Sequence, residues 1–133
     1  MTELSFSDFQ NLAQADSLCV SIYMPAEKAG AETRKNPIRF KNLLQTATEK
    51  LANRGTSELN AALESASAYI DRHDFWQHQD TGLAFFINSD GVKYYRLPHS
   101  FDEHVEVGDR FYLKPLVPVL TNDSKFYLLA LSQ

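Results

Sequence analysis

The sequence predicts an α+β fold: a mixed β-sheet of about five strands with a helical hairpin and a short N-terminal helix packed on it. Three observations carry this reading. A cleanly alternating run, VSIYMP, lies near the start of the chain, and two segments of 3.6-residue apolar period follow it between residues 37 and 70. Beyond residue 80 the pattern turns to short aromatic and β-branched runs, which is a change from helix to strand.

Residues 5–15, SFSDFQNLAQA, predict the short helix, with Ser5 or Ser7 as N-cap and Phe9, Leu12 and Ala13 on one face. In SLCVSIYMP, Leu18, Val20, Ile22 and Met24 share one side and Cys19, Ser21 and Tyr23 the other, so this is a strand that Pro25 ends. Residues 26–36 are polar and turn-like. A helix follows from Pro37, which suits a first helical turn, with Phe40, Leu43, Leu44, Ala47 and Leu51 as its stripe and Gly55 as its stop. A second helix starts near Thr56 and buries Leu59, Ala62, Leu63, Ala66 and Ile70. Then TGLAFFIN and VKYYRLP flank Ser89-Asp90-Gly91, a pairing suited to a tight hairpin turn. EHVEV, DRFYLKPL and KFYLLALS supply the remaining strand-like runs, and Pro115 and Pro118 place the middle of that region at a sheet edge or looped away. The helices are expected on one face of the sheet.

A chain of 133 residues, 44% hydrophobic and 23% charged, suits one domain with a core large enough to need no disulfide or metal. Its single cysteine, Cys19, makes no internal bridge, which points to the cytoplasm. No apolar run approaches the ~20 residues of a membrane span, and MTELSFSDFQ lacks the pattern of a secretory signal. The net charge of −4 excludes whole-domain attraction to nucleic acid and leaves only a local patch for such contact. The apolar run at residues 124–133 reads as a final buried strand, and nothing follows it. Residues 1–133 are expected to form a single domain, and either the protein ends with this strand or the domain is the first of a longer polypeptide.

Signatures of catalysis are missing. Gly30, Gly55, Gly82, Gly91 and Gly108 are scattered, so no phosphate loop forms, and there is no G-x-S-x-G elbow. Cys19 lies among apolar strand residues, where packing outweighs a nucleophilic role. His73 and His78, like His99 and His104, stand five residues apart, a spacing that does not pair imidazoles on a helix. Even with Asp71, Asp74, Asp102 and Glu103 nearby, surface-loop histidines are the better reading than a metal site. Phe75 and Trp76 offer a stacking platform for a base, but core filling by Phe75 with partial burial of Trp76 is the more economical assignment. No catalytic residue, cofactor or metal is expected.

One stretch resists a purely structural reading. TRKNPIRFKN carries Arg34, Lys35, Arg39 and Lys41, and no acid occurs from Thr33 to Thr48. Cations at a helix start oppose the helix dipole at a cost of a few tenths of a kcal/mol each. That points to a use, namely contact with phosphate.

The order of these motifs resembles the N-terminal domain of the bacterial relatives of archaeo-eukaryotic translation release factors. The eukaryotic domain has an apolar strand ending in prolines, long helices, an N-G-L-V-V-x segment, a phrase like E-P-x-K-P and a final strand around N-K-F. Here Gly82-Leu83-Ala84-Phe85-Phe86, Lys114-Pro115-Leu116 and Ser124-Lys125-Phe126 occupy the matching slots. The likeness covers nearly the whole chain through short pieces in a shared order. It implies that the domain precedes an RNase-H-like and a ribosomal-protein-like domain and works at the ribosomal A site. The stop-codon loop T-A-S-N-I-K-S and the box Y-x-C-x-x-x-F have no counterpart in ANRGTSELN, ETRKNPIRFKN or VLTNDSKFY, and the peptide-release tripeptide G-G-Q is absent. Ribosome rescue or a stress response is then the implied role.

The expected function is a non-catalytic module that binds ribosome or RNA through Arg34, Lys35, Arg39 and Lys41, with the downstream domains of its own chain as further partners. The alternative is a protein-interaction or structural domain that docks a partner through LKPLVPVLT. Exposure of Leu116, Val117 and Val119 separates the two.

Overall fold

The computed structural model describes residues 6–27, 31–55 and 57–121. The chain forms α1 (Phe6–Ala13) and β1 (Cys19–Pro25), then a 3-10 turn at Ala31–Arg34 that runs into α2 (Lys35–Asn53). Next come α3 (Asn60–Ser67), a 3-10 turn (Ala68–Asp71) and α4 (His73–Trp76). After these lie β2 (Gly82–Asn88), β3 (Gly91–Leu97), β4 (His104–Gly108), a 3-10 turn (Lys114–Leu116) and α5 (Val117–Thr121).

The architecture is α+β. Among the described residues the sheet has four strands in the order β3-β2-β1-β4, and every neighbouring pair is antiparallel. The expectation of a mixed sheet is corrected by the helical hairpin. One helix after β1 returns the chain to the start of that strand and sets up a parallel neighbour. Two helices bring it back to the end of β1, so β2 must run the opposite way. The register shows this return, since Pro25 faces Gly82 and the Ala26 N–H donates to the Thr81 carbonyl at 2.9 Å. The strand expected at residues 124–133 lies outside the described residues.

β1 is central, and its side chains from Cys19 to Met24 are buried on both faces. On the first face Val20, Ile22 and Met24 pack with Leu83, Phe85 and Ile87 of β2 beneath α2, α3 and α4. The Phe40 ring of α2 stacks on Phe85 at 4.3 Å, and each of the five stripe residues of α2 is buried. Leu59, Ala62, Leu63 and Ala66 are buried as well, with Ile70 partly so. Gly55 ends α2 with φ of +72°, a left-handed conformation that favours glycine, and its N–H reaches the Ala52 carbonyl at 2.9 Å.

The second face is covered too, which corrects the expectation of helices on one face only. Tyr23, Ala84, Phe86, Tyr95 and Leu97 pack there with Phe9 and Leu12 of α1, Phe101 and Leu116. Ala13, expected on the same face, is exposed at the end of α1. Ser7 lies inside the first turn of α1 rather than capping it, and Ser5 lies outside the described residues.

DRFYLKPL is not a strand. Residues 111–113 cross the sheet face without joining the ladder, and Lys114–Leu116 is a 3-10 turn. Pro115 and Pro118 have no N–H to give a ladder, and β1 side chains supply the missing bonds. The Tyr112 N–H donates to Ser21 Oγ at 2.8 Å, and the Tyr23 hydroxyl donates to the Tyr112 carbonyl. A close approach also fixes Gly82. A Cβ there would stand 1.9 Å from the His99 carbonyl oxygen, so the chain returning after β3 requires glycine. The β2–β3 loop is Ser89-Asp90, with Asn88 facing Gly91. Gly91, at φ +131°, takes the only positive φ of that turn among the described residues.

The buried strand makes two outcomes measurable. Tyr23→Phe removes the donor and leaves the Tyr112 carbonyl unpaired, so the urea midpoint falls by the equivalent of about 1–3 kcal/mol; an unchanged midpoint would show that the bond contributes nothing. Cys19 has its thiol pushed up from 9.0 to about 11, first by burial, then by Asp109 and Asp16, against a lowering hydrogen bond to the Ser17 carbonyl. A raised thiol pKa means that the unfolded chain ionises first, so this group lowers stability as pH rises from about 9 to about 11. Iodoacetamide at pH 8 should alkylate the native protein far more slowly than the urea-unfolded chain, and equal rates would contradict the burial.

Candidate nucleic-acid interface

The head of α2 sets the geometry. With a rotation of roughly 100° per residue, Phe40, Leu43 and Leu44 face the sheet, while Arg34, Lys35, Ile38 and Lys41 fall on the solvent side. Arg34, at the N-cap position, is exposed and makes no side-chain capping bond, and α2 has no acid in its first turn. Lys35 and Lys41 are exposed, and Ile38 between them is 61% exposed. Three of the four cations expected at the interface therefore share one outward strip.

Arg39 is placed differently. Its Nε lies 3.0 Å from Glu103 Oε2, its Nη1 donates to the Pro25 carbonyl at 3.1 Å, and its side chain is only 20% exposed. The guanidinium joins α2 to the end of β1 and to the residue before β4. Asn36 does parallel work from a fully buried position. Its Nδ2 donates to the Glu27 carbonyl and its Oδ1 accepts from the Glu27 N–H, both at 3.1 Å. Sequence reasoning passed over Asn36, although an amide flanked by cations at a helix start was the available signal. Together Asn36 and Arg39 clamp residues 25–27 and so fix where the basic strip begins.

At the same end of α2, opposite Gly55, lies a cleft of about 780 Å³. Arg34 and Pro37 line it from the head of α2, and Ile70, Asp71, His73 and Trp76 from the turn that leads from α3 into α4. The helical hairpin brings these two segments together, and no local pattern announces their meeting. Trp76 itself belongs to the core. It is 4% exposed, its Nε1 donates to the Tyr69 carbonyl at 2.6 Å, and it packs against Phe75 and Phe40 at 4.7 and 5.6 Å. Only its edge reaches the cleft, so an open stacking platform is not what this residue provides.

His73 and His78 are exposed. His104 is on β4 rather than in a loop, with Nε2 2.8 Å from Glu106 Oε1 and its ring 4.9 Å from Tyr112. Among the described residues no group of three or more His, Cys, Asp or Glu could hold a metal ion, and no helix is long and apolar enough to cross a membrane. No protein-family model and no curated protein matches the chain.

The division within the basic stretch has a measurable consequence. Arg39→Gln should lower the unfolding free energy by about 1–2 kcal/mol, since it loses a charged pair and a backbone bond. Glu103→Gln, which loses only a half-exposed pair, should cost under ~1 kcal/mol. Equal effects in urea titrations would mean that the bond to Pro25 contributes nothing.

Proposed function

We propose that this chain is a non-catalytic, ribosome- or RNA-associated module of a bacterial release-factor-like protein, acting in ribosome rescue or a stress response. The observation that carries this reading is the strip of Arg34, Lys35 and Lys41 on the outward side of α2, in a stretch without an acid from Thr33 to Thr48 on a chain of net charge −4. Local concentration of cations on an acidic domain is the footprint of phosphate contact, and an exposed Ile38 among them adds apolar surface for a nucleobase or sugar. The motif order from VSIYMP to LKPLVPVL supports the release-factor resemblance, and the missing stop-codon motifs favour rescue over termination.

The alternative, partner docking through LKPLVPVLT, has less exposed surface to work with. Leu116 is fully buried and Val119 packs into the second core, while Val117 alone is 42% exposed.

Co-sedimentation with bacterial ribosomes over a salt series tests the proposal. Binding should weaken as salt rises, and Arg34→Glu with Lys41→Glu should remove most of it. The salt slope should flatten by roughly one for each phosphate that is no longer neutralised. Arg39→Gln should change binding much less. Salt-independent binding, or binding untouched by charge reversal, would overturn the basic-strip mechanism.

A further inference from the structure

Beside the basic strip, the cleft between the head of α2 and the α3–α4 turn has a composition of its own. Arg34 contributes a guanidinium with no bonded partner among the described residues, and His73 an exposed imidazole. Asp71 and Gln77 contribute an acceptor pair and an amide, both exposed. Ile70, Pro37 and the edge of Trp76 make the surface between them apolar. At about 780 Å³ the cleft falls within the range of small-molecule sites, roughly 300–1,000 Å³.

These groups do not suit a bare anion, because Asp71 repels one. They do not suit a metal either, since one carboxylate and one imidazole are too few. They suit a ligand that is anionic at one end and rich in hydrogen-bonding groups at the other, with a flat apolar body between. We propose that this cleft binds a nucleotide. Its phosphate pairs with Arg34, its base lies against Ile70 and Pro37 beside the buried Trp76, and Asp71 and Gln77 take the donor groups of the ribose or base. Direct hydrogen-bond acceptance by a carboxylate gives selectivity for ribose hydroxyls or an amino-bearing base that phosphate contacts alone do not give. The ligand is either one unstacked nucleotide of an RNA strand or a free mononucleotide. The first source rests on the RNA reading above, because a strand held along Arg34 and Lys41 passes the mouth of the cleft; the second does not.

Trp76 is the only tryptophan of the chain, so its fluorescence reports on the cleft directly. The experiment titrates the protein with AMP, with a single-stranded RNA hexamer and with inorganic phosphate, while RNA binding is followed in parallel by anisotropy of a labelled hexamer. The expected result is a saturable Trp76 change with AMP and hexamer but not with phosphate. Arg34→Glu and Asp71→Ala, both at exposed positions and checked for folding by circular dichroism, should each weaken it about tenfold or more. Lys41→Glu should weaken hexamer binding and leave AMP binding unchanged. A response to AMP without hexamer binding supports the cleft, names free nucleotide as its ligand and removes the RNA reading. Hexamer binding that leaves Trp76 silent, with no AMP response, overturns the cleft proposal and keeps the RNA reading. An equal response to phosphate alone, or no response to any ligand, overturns the nucleotide site.

Discussion

The Tyr23 hydroxyl ties the central strand to the segment that covers the second face of the sheet. It sits on a central strand with no solvent on either side, and it donates to a carbonyl of a segment that crosses the sheet. A buried hydroxyl without a partner costs far more than a paired one returns. Tyr23 therefore requires Tyr112 above it, and Ser21 requires the Tyr112 N–H. Burial pushes the Tyr23 phenol well above its ordinary range, so it remains a donor across the whole pH range of a native protein. With residues 111–113 in place, Leu116 joins Phe86 and Leu97 in one buried cluster, and the second face becomes a core rather than an open sheet surface.

The first face follows from the same strand by a different route. Its apolar side chains need a cover, and the helical hairpin supplies one with Phe40 against Phe85. The pair of helices also decides strand direction and carries the chain back to the place where β1 ends. The head of α2 and the α3–α4 turn therefore become neighbours. The cleft that contains Arg34, Asp71 and His73 is a by-product of closing an antiparallel sheet with two helices.

Electrostatics then divides the work among cations that look alike in sequence. Arg39 bends toward β1 and Glu103, where a planar guanidinium can serve a carbonyl and a carboxylate at once. Arg34, Lys35 and Lys41 are left on the outside. The dipole penalty at the start of α2 is small, and Asn36 with Arg39 offsets it by anchoring residues 25–27.

Periodicity determined the α+β class, the α2 stripe and the alternation of β1, because side-chain repeat is a local property that survives in any tertiary setting, and a single glycine marked the stop at Gly55. The basic stretch was legible for the same reason, as a run without acids. Strand direction was not legible, since it depends on how many helical passes separate two strands. Pro115 and Pro118 announced that the region around DRFYLKPL would sit at an edge or loop away, but which course it took was decided by Ser21 and Tyr23 beneath it. The separation of Arg39 from its neighbours, and the meeting of Arg34 with Asp71 and His73, belong to the tertiary structure alone. Both join residues far apart in the chain, and no spacing rule encodes a distance that packing has yet to set.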